Sequence, residues 1–232
     1  MNLKILAGGA VAALSLAAAG AASAATITLN FDALNGGANE EPLNYYAGGF
    51  GSDGTGPGPN YGITFSSNTI TGCVAGNPCA NTNSALAPSN PNVIFFLSGG
   101  ADTMDVAGGF TTGFSFFYSS VNVPGVVNVW SGLDGTGTLL ATLNLPVTPA
   151  NGAPGCLGEP FCPYFEFGVN FAGTAMSVDF GGTANQIAFD NITLGSPIAP
   201  LPEPAAWALM LVGFGGLGVA LRSRRHASAT VA

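Results

Sequence analysis

The sequence predicts an all-β fold: a single jelly-roll-like β-sandwich of roughly eight to ten strands, set between two membrane-directed ends. Three observations carry this. Apolar residues alternate with polar ones at period two, glycine and proline clusters punctuate the runs, and no stretch between residues 25 and 198 combines sustained helical spacing with caps.

In chain order, residues 1–24 carry one cation, Lys4, then an apolar stretch from Ile5 to Ala19, then Ala22-Ser23-Ala24. This is a signal peptide with a small-residue cleavage site, cut after Ala24 by signal peptidase once the secretion machinery has engaged it. A first membrane helix is the alternative, but the short apolar core and the A-x-A ending argue against it. The domain then runs over residues 25–198. Ile27, Leu29 and Phe31 form one face of a first strand. Phe114, Phe116 and Tyr118 oppose Ser115 and Ser119, and Val126, Asn128 and Trp130 oppose Val127 and Val129, with Trp130 expected in the core. Phe165, Phe167, Val169 and Phe171 make a further face, as do Met176, Val178 and Phe180. In the last run, Ile187 and Phe189 are followed by Ile192 and Leu194, so the phase slips by one at Asp190-Asn191. That slip predicts a β-bulge. Residues 48–62, crowded with glycine and proline, read as a long mobile loop ending at Tyr61, and residues 72–91 as a second loop.

Cys73 with Cys79, and Cys156 with Cys162, form two local pairs. In an exported chain they read as two small disulfide loops, each restraining the unfolded chain by about 2 kcal/mol on the loop-entropy account. A metal held by four thiols is the alternative, but the CxxC spacing of zinc sites is missing and no histidine assists.

Charge bounds the function. Lys4, Arg222, Arg224, Arg225 and His226 all lie outside residues 25–201, whereas eleven of the twelve acids lie inside. With no cation to neutralise phosphate, nucleic-acid binding is excluded. Direct contact with anionic polysaccharide is disfavoured on the same ground, which leaves neutral polysaccharide, or an acidic one bridged by a divalent cation. A Ser or Cys nucleophile would have no base beside it. The remaining catalytic option is a carboxylate-dependent glycoside hydrolase drawing on Glu40, Glu41, Glu159 and Glu166. Nothing in their spacing pairs them, and solvated surface is the expected role of each.

Two non-catalytic sites are candidates. Asp32 ends the first strand and Asp190-Asn191 sit in the last, so a pairing of first and last strands would let Asp32, Asp190 and Asn191 contribute oxygens to a structural calcium. Tyr45, Tyr46 and Tyr61 flank the glycine-rich loop and could stack on a sugar's apolar face.

The tail is the most specific stretch. Pro202-Glu203-Pro204 is held extended by its prolines, the uncharged run from Ala205 to Leu221 spans about 25 Å as a helix, and Arg222, Arg224 and Arg225 close it. The positive-inside rule leaves residues 226–232 as a cytoplasmic tail and the domain outside. With Trp207-Ala208 two residues after the motif, this region (199–225, transmembrane helix about 205–221) resembles the PEP-CTERM sorting signal. The resemblance implies export across the inner membrane of a Gram-negative bacterium, recognition by an exosortase, cleavage near the motif, and delivery to the cell surface or exopolysaccharide. A single-pass anchor that is never cut is the alternative.

Three functions follow as expectations. The first is a non-catalytic structural role in envelope or exopolysaccharide. The second is a carbohydrate-binding module with structural calcium, and the third is the carboxylate hydrolase.

Overall fold

The computed structural model describes residues 26–35, 39–77, 81–82, 84–148, 154–156 and 158–198. The leader, the sorting tail with Pro202, Glu203, Pro204, Trp207, Arg222, Arg224 and Arg225, and Cys79 lie outside the described residues. Among the described residues the chain is all-β, with eleven strands in two sheets and no helix.

The first sheet contains β1 (Ile27–Leu29), β3 (Ile70–Cys73), β4 (Asn92–Phe95), β6 (Gly113–Ser120), β9 (Phe165–Asn170) and β11 (Ile187–Leu194), in the order β3-β4-β11-β6-β9 with β1 also paired to β11. The second has the order β2-β5-β10-β7-β8, from β2 (Ile63–Phe65), β5 (Ala101–Phe110), β10 (Ala175–Gly181), β7 (Gly125–Trp130) and β8 (Leu139–Leu145). Every strand pairing is antiparallel. Only β3–β4 and β7–β8 are hairpins within one sheet, so every other connection crosses between sheets. Each crossing strand therefore carries its apolar face to the shared interior. The β7–β8 turn uses Asp134 and Gly135, both at positive φ (54° and 63°), as a type I′ turn requires.

The interior is aromatic. Phe116 of β6 meets Phe180 of β10 at 6.0 Å and Phe189 of β11 at 5.6 Å, both edge-on, so one ring joins the two sheets. Phe180 and Phe189 lie 4.9 Å apart. Edge-to-face pairs of this kind add about 0.5–1.5 kcal/mol each beyond the area they bury.

Two bulges decide which residues face inward. In β11 the register against β6 jumps between Asp190 and Thr193, and Asn191 takes φ 46°. Phe189 and Ile192 therefore both reach the core, as the phase slip predicts. In β10 a second shift lies between Ala175 and Ser177, so Ala175, Val178 and Phe180 point inward. Met176, expected with them, is only half-buried, because the bulge turns it away.

Trp130 also departs from expectation. Val127 and Val129 fill the core face of β7, leaving Trp130 half-buried on the other side, its indole N–H enclosed and without a hydrogen-bond partner among the described residues.

The glycine-rich loop is a compact, bonded segment rather than a slack one. Gly48 N–H donates to Pro59 O, Gly58 N–H to Gly49 O and Gly51 N–H to Thr55 O. Fully buried Glu40 closes it, accepting from the Thr55 hydroxyl at 2.9 Å. Cys156 and Cys162 form the expected disulfide, and Cys73 is not a free thiol. After β11 the chain crosses the outer face of β6 and β9, where a Cβ at Gly168 would collide with the Pro197 carbonyl. Only glycine admits that crossing.

Asp102 of β5 is fully buried, and neither carboxylate oxygen has a hydrogen-bond partner among the described residues. Burial pushes its carboxyl up to about 8, and the neighbouring Thr69 hydroxyl, outside hydrogen-bond geometry, offsets little of this.

Truncating Phe116 to Ala should cost about 3–5 kcal/mol in chemical denaturation, since it leaves a cavity between the sheets. For Asp102 the folded carboxyl binds its proton more tightly than the unfolded one. Stability is therefore highest below about pH 4 as far as this group is concerned, and is lost as pH rises toward about 8. Asp102→Asn should flatten the fall in Tm between pH 5 and 8; an unchanged slope would contradict the buried, protonated carboxyl.

Candidate functional site

The predicted site residues disperse. Tyr45 and Tyr46 are buried, so they cannot present a face to sugar. The Tyr46 ring packs edge-on to Phe31 and Tyr45, and its phenol oxygen accepts the Phe31 N–H at 3.0 Å. Burial drives that phenol above its usual range. Both tyrosines are core. Tyr61 is 44% exposed, with one ring face stacked on Tyr46 at 6.3 Å.

Glu40 and Glu41 are neighbours in the chain, and Glu159 and Glu166 lie on other segments. Glu40 is buried against Thr55 rather than solvated, and Glu41 follows it beside Ser52. Glu159 sits in the disulfide loop, its N–H on Cys156 O, and Glu166 lies on β9 opposite Phe117.

The carboxylates of Asp32 and Asp190 do converge. β1 pairs with β11, Leu29 opposite Ile192, and both acids turn toward residues 89–92. Asp190 accepts from the Ser89 N–H (2.9 Å), the Ser89 hydroxyl (3.0 Å) and the Asn191 N–H (2.7 Å). Asp32 accepts the Asn92 N–H at 3.1 Å. Burial raises both carboxyls, that of Asp190 to about 7 with the Asp32 charge adding to it. No third acid, His or Cys joins them in a metal-holding group among the described residues.

On the outer face of the first sheet a groove of about 540 Å³ opens over Val93 and Phe95 of β4 and Ala188 of β11. These residues are apolar because the strand is covered on both sides: Ile94 faces the sandwich core, while Val93 and Phe95 belong to a second cluster with Val74, Ala87 and Phe161. One wall is Thr82 and Ser84 beside Pro160 and Phe161. It is built by a parallel bridge between Ser84 and Phe161, by the Ala85 N–H on Phe161 O (3.1 Å), and by the Cys156–Cys162 disulfide packed against Ala85. The Ser84 hydroxyl and the Tyr164 phenol meet at 2.5 Å beneath it.

The opposite wall comes from Leu97, Val121 and the connections at Asn122, Asn185 and Gln186. Asn39, Asn122 and Asn185 are exposed, and their side chains make no hydrogen bond among the described residues. Among the described residues no charged side chain lines the groove, and none there could serve as acid or base. The lining can exchange hydrogen bonds with an uncharged ligand.

Neither a known protein family nor a curated protein matches this sequence. Among solved structures, the K2 cleaved adhesin domain of Lys-gingipain aligns at TM-score 0.43 and 12% identity, over 73% of this chain and 97% of that one. The K1 cleaved adhesin domain of Lys-gingipain from Porphyromonas gingivalis W83 aligns at TM-score 0.42 and 13% identity, over 74% and 98%. The carbohydrate-binding module CBM6cm-2 from Cellvibrio mixtus lichenase 5A, in complex with cellotriose, gives TM-score 0.33 and 15% identity, over 49% and 84%. Likenesses this low transfer neither ligand nor activity to this chain.

Proposed function

We propose that this chain is an exported, non-catalytic protein of the cell surface or extracellular polysaccharide, in which a jelly-roll-like sandwich is delivered by its two membrane-directed ends. The observation that carries this reading is the domain's chemistry. Residues 25–201 contain no basic side chain, and among the described residues the groove has no charged lining. Such a groove lacks the acid–base pair that hydrolysis requires, and it suits contact with neutral polymers. The Ala22-Ser23-Ala24 site, the Pro202-Glu203-Pro204 motif and the arginine stop support delivery outside the inner membrane by signal peptidase and an exosortase.

A second reading, a carbohydrate-binding module with structural calcium, draws on the convergence of Asp32 and Asp190. A buried Asp190 carboxyl beside a half-buried Asp32 carboxyl, when ionised, sets two negative charges together that a cation would neutralise, and an ionised carboxylate offers about four acceptor sites. Asp32, Asp190 and Asn191 would hold the ion, with backbone carbonyls completing the six to eight oxygens calcium takes.

In the native host, intact mass and cell fractionation should give a chain that begins at Ala25, ends near Pro202 and is found outside the inner membrane. A chain beginning at Ala25 but retaining residues 205–221 in the membrane fraction would identify a permanent anchor. A full-length cytosolic chain would overturn the reading. For the metal, Tm should rise with added calcium and fall with EDTA; a Tm unmoved by both removes it.

A further inference from the structure

We propose that the groove on the outer face of the first sheet is a binding site for a neutral polysaccharide chain, a ligand class that rests on the surface-protein reading above. The chemistry of the groove sets the class from three sides.

Its base is closed by the buried Val93, Phe95 and Ala188, and the apolar surface it offers to the C–H faces of a pyranose ring comes from exposed Leu97 with half-buried Val121 and Pro160. Its rim carries the amides of Asn39, Asn122, Asn185 and Gln186, and each amide offers two donors and an acceptor, the complement of adjacent hydroxyl groups. Asn39, Asn122 and Asn185 spend none of that capacity within the described residues, so they meet a ligand without first breaking a protein hydrogen bond.

The absence of charge then narrows the occupant. An anionic glycan would find no cation among the described residues of the groove and would face the repulsion of eleven acids over residues 25–201. A cationic peptide would be drawn instead to the acids elsewhere, such as Asp105, Asp134 and Asp179 around the β7–β8 turn. A neutral, hydroxyl-rich chain is the ligand the lining fits. The volume, about 540 Å³, lies within the roughly 300–1,000 Å³ of small-ligand sites, enough for a short stretch of chain.

The groove is also firmly built. Its near wall is fixed by the Cys156–Cys162 disulfide and the Ser84–Phe161 bridge, and its far wall by the Asn185 N–H on Phe96 O at 2.7 Å. A site preformed in this way loses little conformational freedom on binding.

The test is affinity electrophoresis of the purified domain, residues 25–201, alongside the full-length chain in detergent, through gels containing a β-1,3-glucan, a mixed-linkage β-glucan, xylan or galactomannan, with alginate as the anionic counterpart. Wild type should be retarded by at least one neutral polymer and not by alginate. Asn122→Ala combined with Gln186→Ala should weaken that retardation at least tenfold, and Asn122→Trp should abolish it by filling the groove. Tyr61→Ala, on the glycine-rich loop, should leave it unchanged. Two groove variants of opposite kind keep the test decisive should one of them fold poorly. Retardation that survives in both folded groove variants would overturn this site while leaving a glycan-binding surface protein intact. No retardation of wild type by any neutral polymer, or retardation by alginate alone, would overturn the ligand class itself; export would still stand or fall on mass and cell fraction.

Discussion

The structure is governed by a domain that must settle eleven negative side chains without a single positive one. Within residues 25–201 no side-chain cation is available to pair with an acid, so the acids drawn into the fold rely on neutral donors or lose their charge. Glu40 takes the Thr55 hydroxyl, Asp179 the Thr103 hydroxyl, Asp105 the Asp134 N–H, and Asp190 the donors of Ser89 and Asn191. Asp102, which finds none, is held protonated by burial into the neutral range. Hydrogen bonds to charged acceptors contribute about 1.5–3 kcal/mol each. In this chain they also pin loops: Glu40 closes the glycine-rich loop, and Asp32 with Asp190 ties residues 89–92 to the seam between β1 and β11.

The same constraint reaches the surface. Among the described residues the groove is lined by amides, hydroxyls and hydrocarbon, with no charged group to hold an anion or move a proton. It sits where two loops, one stapled by Cys156–Cys162, rise over an outer sheet face that is already apolar because Val93, Phe95 and Ala188 pack against Phe161. Fold and site therefore share one origin, the burial of β4 and β11 on both sides.

Much of the architecture was legible in the chain. The alternating runs at residues 114–118, 165–171 and 187–194 are strands, and the slip at Asp190-Asn191 marks a true bulge, because an extra residue must break a period of two. Other elements were hidden for identifiable reasons. β5, the longest strand among the described residues, places Asp102 at an inward position and carries Gly108-Gly109 before its last residue, Phe110, so its alternation is disguised. After Asn92, β4 is an apolar run, Val93-Ile94-Phe95, which lacks period two because both faces are covered. The bulge between Ala175 and Ser177 left no comparable mark, and Met176 was placed on the wrong side as a result. Tyr45 and Tyr46 looked like loop aromatics; only long-range contacts with Phe31 and Phe65 make them core. The groove could not be read at all, since it gathers unremarkable residues from segments around 82, 93, 122, 161 and 186 that nothing local connects.

The central claim is that recognition by this base-free domain is uncharged, and the salt dependence of retention on a neutral polysaccharide addresses it most directly. Binding through amides and apolar contact should be the same at 20 mM and 500 mM sodium chloride, apart from a weak strengthening of apolar contact. A loss of retention of tenfold or more across that range would show that ionic attraction holds the ligand, which a groove without charged residues cannot supply.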